Sequence, residues 1–146
     1  MLPAQRNKGN IMVAIDIVYE GELRCSATHA PSGTRLTTDA PKDNHGKGES
    51  FSPTDLVATA LGSCMLTIMG IAARTLQLDI SGTRVQVIKE MVTSPVRRIG
   101  ALRVAIHVPI TLTAEQQEAL RKAAISCPVH QSVHPDIAMP ITFTWG

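Results

Sequence analysis

The amino-acid sequence predicts an α+β domain with the element order βββ-α-ββ-α-α-β. Three observations carry that expectation. Residues 56–73 contain no charged side chain and are preceded by helix-start signals. Short runs before and after that stretch alternate apolar with polar residues, as half-buried strands do. Thr113-Ala114-Glu115-Gln116 has the capping-box pattern, ahead of a second, amphipathic helix.

Taken in order, residues 1–10 are polar and read as loose, and residues 11–19 read as a strand with Val13, Ile15 and Ile17 on one face. Gly21 turns the chain into a strand at 22–29, and Ala30-Pro31-Ser32-Gly33 turns it again into a short strand at 34–38, giving an antiparallel meander. Residues 39–50 form a polar loop with Pro41, Gly46 and Gly48. Its Gly46-Lys47-Gly48 piece is no phosphate loop, because no Ser or Thr follows the lysine.

The central helix starts with Ser52 as cap, Pro53 at the first helical position and Asp55 three residues after the cap. A surface helix would show a polar face, so a stretch this free of charge is expected to be a buried helix wrapped by protein on most sides. It approaches the length of a membrane span. Thr59, Ser63, Cys64 and Thr67 thin its hydrophobicity and no second span follows, which favours a core helix. Thr59, Ser63, Thr67 and Gly70 share one face as a seam of small residues where another backbone can come close. That neighbour is either the chain's own sheet or the same helix of a second copy, and the pattern leaves both open.

Beyond a turn at 79–82, residues 83–92 form a strand, which Ser94-Pro95 breaks. The strand at 99–108 sets Leu102, Val104, Ile106 and Val108 on one face and Arg103 and His107 on the other. In the helix opened by Thr113, Leu120, Ala123 and Ala124 face inward while Glu118, Arg121 and Lys122 face out. It ends near Ser126-Cys127-Pro128, a short turn or helix covers 129–133, and the last strand spans 137–145. Pro140 suits that strand to a sheet edge.

With 146 residues, 44% hydrophobic and 18% charged, the chain suits a single domain, residues 1–146, with a core of its own. A net charge of +2 is too mild to point to nucleic acid, and 3% aromatic residues are too few for a base-stacking platform. No signal-peptide pattern is seen, since the first apolar run is cut short by Asp16. Cys25, Cys64 and Cys127 do not make a disulfide framework in a domain of this size, so an intracellular, cytoplasmic protein with reduced thiols is expected.

Cys64 lies mid-helix, away from free N-terminal amides, so a thiolate there needs a cation brought from elsewhere. Read alone, it is an inert buried cysteine. Cys127 precedes Pro128 and can cap the short segment behind it, where amides stabilise a thiolate. Local physics therefore chooses Cys127 as the more acidic thiol. Cys25 has no helper nearby. Cys127, His130 and His134, with Cys64 as a fourth ligand, have the spacing of a zinc site, although no Cys-x-x-Cys pair is present. His29, His45 and His107 read as surface or loop residues.

Ser52-Pro53-Thr54-Asp55-Leu56, Leu61-Gly62-Ser63-Cys64 and Ser126-Cys127-Pro128-Val129 together resemble the osmotically inducible protein C (OsmC) family, which includes the organic hydroperoxide reductases. The separation of the two cysteines, 127 − 64 = 63 residues, and the element order fit as well. The resemblance implies an interlaced homodimer with active sites at the subunit interface. It implies a thiol-dependent peroxidase needing no metal or organic cofactor, with an external dithiol as reductant. Cys64 would attack the hydroperoxide and Cys127 would resolve the sulfenic acid as a disulfide. An arginine of the early strands would sit by the attacking sulfur; Arg24 matches best by position and Arg35 is the reserve. The family glutamate stands ten residues before the first cysteine, where this chain has Thr54, with Asp55 adjacent and Glu49 upstream. Two readings from other classes are a non-enzymatic protein holding a small ligand at the apolar interface, and the zinc site. No membrane or nucleic-acid partner is expected.

Overall fold

The computed structural model describes residues 12–146, so the expectations for residues 1–10 and for a strand start at Ile11 lie outside the described residues. Strands β1 (Ile15–Gly21), β2 (Arg24–His29) and β3 (Arg35–Asp39) precede helix α1 (Pro53–Thr75). Then follow β4 (Arg84–Val92), β5 (Arg98–Val108), α2 (Ala114–Ile125), α3 (Pro128–Ser132) and β6 (Ile141–Trp145). This is the α+β order that the sequence predicts, with a short 3-10 turn, Lys42–Asn44, added in the loop. The chain divides into two compact units, the first ending at Thr54 and the second starting at Asp55.

The first unit is the antiparallel meander β1-β2-β3. Glu22 and Leu23 join its first two strands with φ of 52° and 64°. Two successive positive φ values make the mirror-image turn whose twist matches a hairpin. That turn, with the next, sets a register in which Arg24 lies opposite Asp39. The polar loop expected from residue 39 therefore starts later: Asp39 ends β3 and is only 2% exposed. Ile15, Ile17, Val18 and Tyr19 of β1 are all exposed, so both faces of that strand lack cover within the chain.

In the second unit, β5 is the middle strand, antiparallel to β4 and parallel to β6. β6 is the edge strand that Pro140 implies, although regular pairing starts only at Ile141. Leu102, Val104, Ile106 and Val108 of β5 are buried, and Arg103 points out to pair with Glu90 of β4. Onto that face α1 lays Leu61, Met65, Met69 and Ala73, spaced four apart on one side, while α2 adds Leu120 and Ala124. Gly62 permits the close approach: a Cβ there would stand 3.0 Å from Val87 Cγ2 and 3.3 Å from Val85 Cγ1. Asp55 in the first turn of α1 pairs with Lys89 of β4 at 2.7 Å.

Within one chain α1 is not wrapped on most sides. It is long and apolar enough to cross a membrane by length and composition. Its Leu61–Ala73 row lies in the core of this unit, with Ala58 and Gly62 also buried, and its opposite side is open. Thr59, Ala60, Ser63, Thr67 and Ile71 are exposed. The reason is angular: Ser63 lies about 200° around the helix from Leu61. The seam thus turns away from the chain's own sheet, which removes one of its two possible neighbours.

The capping box of α2 is formed, with Gln116 N–H donating to Thr113 Oγ1 at 3.2 Å and Thr113 N–H donating to Gln116 Oε1 at 2.9 Å. Arg121 departs from its expected outward course. Its guanidinium lies 4.9 Å from the Phe143 ring centroid and 5.4 Å from that of Trp145. The cause is β6, which lines up alongside β5 and stacks those two rings where α2 passes.

Candidate active site

Cys64 sits midway along α1, half-buried. Cys127 follows the end of α2, where Ser126 closes the helix and Pro128 starts α3. It is 0% exposed and belongs to the same core as Leu61, Met65, Leu120 and Ala124. Packing α1 and α2 on β5 therefore brings together two cysteines that are far apart in sequence: Cys64 and Cys127 stand 3.5 Å apart without a bond. The structure keeps both thiols free.

Cys127 is the N-cap of α3, as its position before Pro128 implies, and its sulfur accepts the His130 backbone N–H at 3.3 Å. The conclusion drawn from that cap is nevertheless overturned. Burial pushes the Cys127 thiol above its ordinary range, the His130 N–H pulls it back, and the neighbouring Cys64 adds to the rise. Removing a thiolate from water costs more here than the amide returns. Cys127 is placed to keep its proton.

The zinc reading also fails. Among the described residues no three His, Cys, Asp or Glu side chains are placed to hold a metal ion. α3 ends at Ser132, so His134 falls beyond the helix, two-thirds exposed and next to Asp136. His130 keeps its Nδ1 buried, with no hydrogen bond among the described residues. A cleft of about 530 Å³ beside the second half of α1 is lined by Thr67, Gly70, Ile71 and Arg74 with residues 78–83, and contains neither cysteine of the pair.

Arg24, on β2, has an anchor that the sequence does not announce. Its Nε donates to Asp39 Oδ1 at 2.8 Å and its Nη2 to Asp39 Oδ2 at 2.9 Å, a fork-on-fork contact. Nη2 also donates to Glu49 at 2.8 Å. These hydrogen bonds hold the Asp39 carboxyl below its usual range and raise the guanidinium further. Glu49 was visible as an upstream acid. Asp39 was missed because its pairing with Arg24 depends on the β2–β3 register. Arg35, the reserve, lies exposed on β3 opposite Thr28.

The family model described as OsmC-like protein matches residues 46–142, well over half of the chain. The chain belongs to the OsmC-like family. A solved structure from Psychrobacter arcticus 273-4, named for osmotic stress induction and a detoxification response, is 45% identical to this OsmC-like chain. The match covers 92% of this chain and 98% of that one, with a TM-score of 0.87. The organic hydroperoxide resistance protein OsmC of Legionella pneumophila shares the fold at 18% identity, 92% and 97% coverage and a TM-score of 0.71. So does a Vibrio cholerae organic hydroperoxide resistance protein with captopril in one of its active sites, at 18% identity, 94% and 95% coverage and a TM-score of 0.74. The comparison with curated proteins finds no match.

Proposed function

We propose that this OsmC-like protein is a thiol-dependent peroxidase acting on organic hydroperoxides. The observation that carries the reading is the unbonded approach of Cys64 and Cys127 to 3.5 Å, one thiol half-exposed and the other in the core. A disulfide needs about 2.05 Å, so the two sulfurs have only about 1.5 Å to close. In the first step the Cys64 thiolate attacks the distal oxygen of the hydroperoxide. The O–O bond breaks, the departing alkoxide takes up a proton to leave as alcohol, and Cys64 becomes a sulfenic acid. Cys127 then attacks that sulfur, and its thiol proton leaves with the hydroxide as water. The resulting disulfide is opened by an external dithiol, which is oxidised as both cysteines are reduced.

Arg24 supplies the cation that a mid-helix thiolate requires. The protein works as a cytoplasmic homodimer, and needs no metal or organic cofactor. Its 45% identity to a protein named for a detoxification response supports the reading, as does membership of a family with organic hydroperoxide resistance proteins. The test is consumption of a panel of hydroperoxides with several dithiols, for wild type and Cys64→Ser. Turnover by wild type and none by Cys64→Ser is expected. Equal inactivity of both proteins, with a small ligand retained by wild type, would replace the enzyme with a binding protein.

A further inference from the structure

Cys64 and Cys127, at 3.5 Å, are too far apart for a disulfide bond, yet close enough for a single atom to bridge. The gap translates into an angle at that atom. Two sulfur bonds of about 2.3 Å span about 3.8 Å at the tetrahedral angle of zinc and about 4.6 Å when linear. They span about 3.5 Å when they meet at about 100°, the angle of a pyramidal centre that keeps a lone pair. Thiolates select soft partners, and trivalent arsenic combines that softness with the pyramidal shape. We propose that Cys64 and Cys127 form a two-thiol binding site for mono-organic trivalent arsenicals, R–As(OH)2. The inference needs only the pair of thiols and stands apart from the peroxidase reading.

The number of ligands selects the arsenical. Among the described residues no third His, Cys, Asp or Glu joins the pair. Inorganic arsenite has three exchangeable positions, of which two thiols fill only two. A mono-organic arsenical has two, and both are filled. The bonding is an exchange without redox change: two S–H and two As–O bonds break, two As–S bonds form, two waters leave and arsenic stays trivalent. Access sets the order of the two bonds. Cys64 is half-buried, whereas Cys127 is fully enclosed in the core with Leu61, Met65, Leu120 and Ala124. Arsenic therefore joins Cys64 first, and the organic group stays on that open side. The second bond closes within the chain, where the effective concentration of the Cys127 thiol far exceeds that of any free thiol. Cys25 has no such companion, since its neighbours across the ladders are Tyr19 and Thr38.

Phenylarsine oxide is the probe, added to the reduced full chain once the reductant has been removed, and the adduct is then challenged with excess glutathione. Intact-protein mass is expected to show one phenylarsenic group per chain that survives the challenge, with Cys64 and Cys127 both protected from alkylation. Cys64→Ala and Cys127→Ala are each expected to hold the group about a hundredfold or more less tightly, because a single As–S bond has no second thiol to recapture it. Cys25→Ala should retain it as wild type does. Loss of the group from wild type with its thiols shown to be reduced, equal retention by either Cys64→Ala or Cys127→Ala, or loss from Cys25→Ala would overturn the inference. Arsenic-edge X-ray absorption on the wild-type adduct needs no variant to fold. Two sulfur neighbours and one carbon are expected, and one or three sulfurs would overturn the pair as the site.

Discussion

Cys64 and Cys127 carry the same chemical group in opposite surroundings, and the proposed order of their reaction follows that difference. Cys127 is buried, holds its proton and accepts one amide, while Cys64 is half-open to solvent. Cys64→Ser is expected to abolish peroxide turnover. Cys127→Ser should consume one equivalent and then overoxidise, because nothing captures the sulfenic acid; intact-protein mass after peroxide addition reads this directly. Loss of the first oxidation in Cys127→Ser, with Cys64→Ser still reactive, would reverse the roles. The same asymmetry says which sulfur the reductant meets. An incoming thiolate should attack Cys64, with Cys127 leaving into the core. Acid-quenched mixed disulfides, mapped by peptide, should carry the reductant on Cys64, and an adduct on Cys127 would contradict this. At this scale the sequence was legible only locally. The cap at Cys127 follows from Pro128 and is present, but the burial that outweighs it comes from the core it joins, to which residues as remote in sequence as Leu61 and Met65 belong.

The elements themselves were far more readable, because each is written in a short-range signal. The capping box at Thr113, the alternation of β5 and the uncharged run of α1 all became the elements they imply. Boundaries and pairings were not, since they depend on partners: the loop assigned from residue 39 yields to β3 because Arg24 pairs with Asp39. That pairing has a pH signature. Hydrogen bonds from Arg24 lower the Asp39 carboxyl in the folded chain. Its contribution to stability is therefore complete above the unfolded carboxyl value, about 3.9, and is lost as pH falls further through the native one. Urea midpoints of wild type should fall more steeply than those of Asp39→Asn below about pH 4, and parallel curves would mean that the pair contributes nothing. Gly62 tests how α1 meets β4. Gly62→Leu forces a branched side chain into a space where a Cβ alone already stands 3.0 Å from Val87, and should cost about 1–3 kcal/mol or more by thermal melting. An unchanged melting temperature would mean that the helix does not sit this close to the strand.

For the molecule as a whole, the open question is what covers the surfaces that one chain leaves bare. The apolar residues of β1 and the outer side of α1 are exposed within the chain. On α1 the hydroxyls of that side are satisfied within the helix. Thr59 donates its hydroxyl to Asp55 O at 2.9 Å, Ser63 to Thr59 O at 2.7 Å and Thr67 to Ser63 O at 2.8 Å. With each hydroxyl turned back onto its own helix, another helix can cross without leaving a polar group unsatisfied. Gly70 continues the seam, and a Cβ there would meet nothing within 4 Å in the chain. This gives Gly70→Ala a sign that depends on assembly. In a lone chain alanine should raise helix stability by about 0.8–1.0 kcal/mol. Between two crossing helices the added methyl would instead hold the backbones apart and weaken the pair. We expect wild type to sediment as a dimer at micromolar concentration. Gly70→Ala should lower its melting temperature and shift the equilibrium toward monomer, and Ser63→Phe should do so more strongly. A stable wild-type monomer, or a Gly70→Ala protein that melts higher with the dimer unchanged, would place the interface elsewhere.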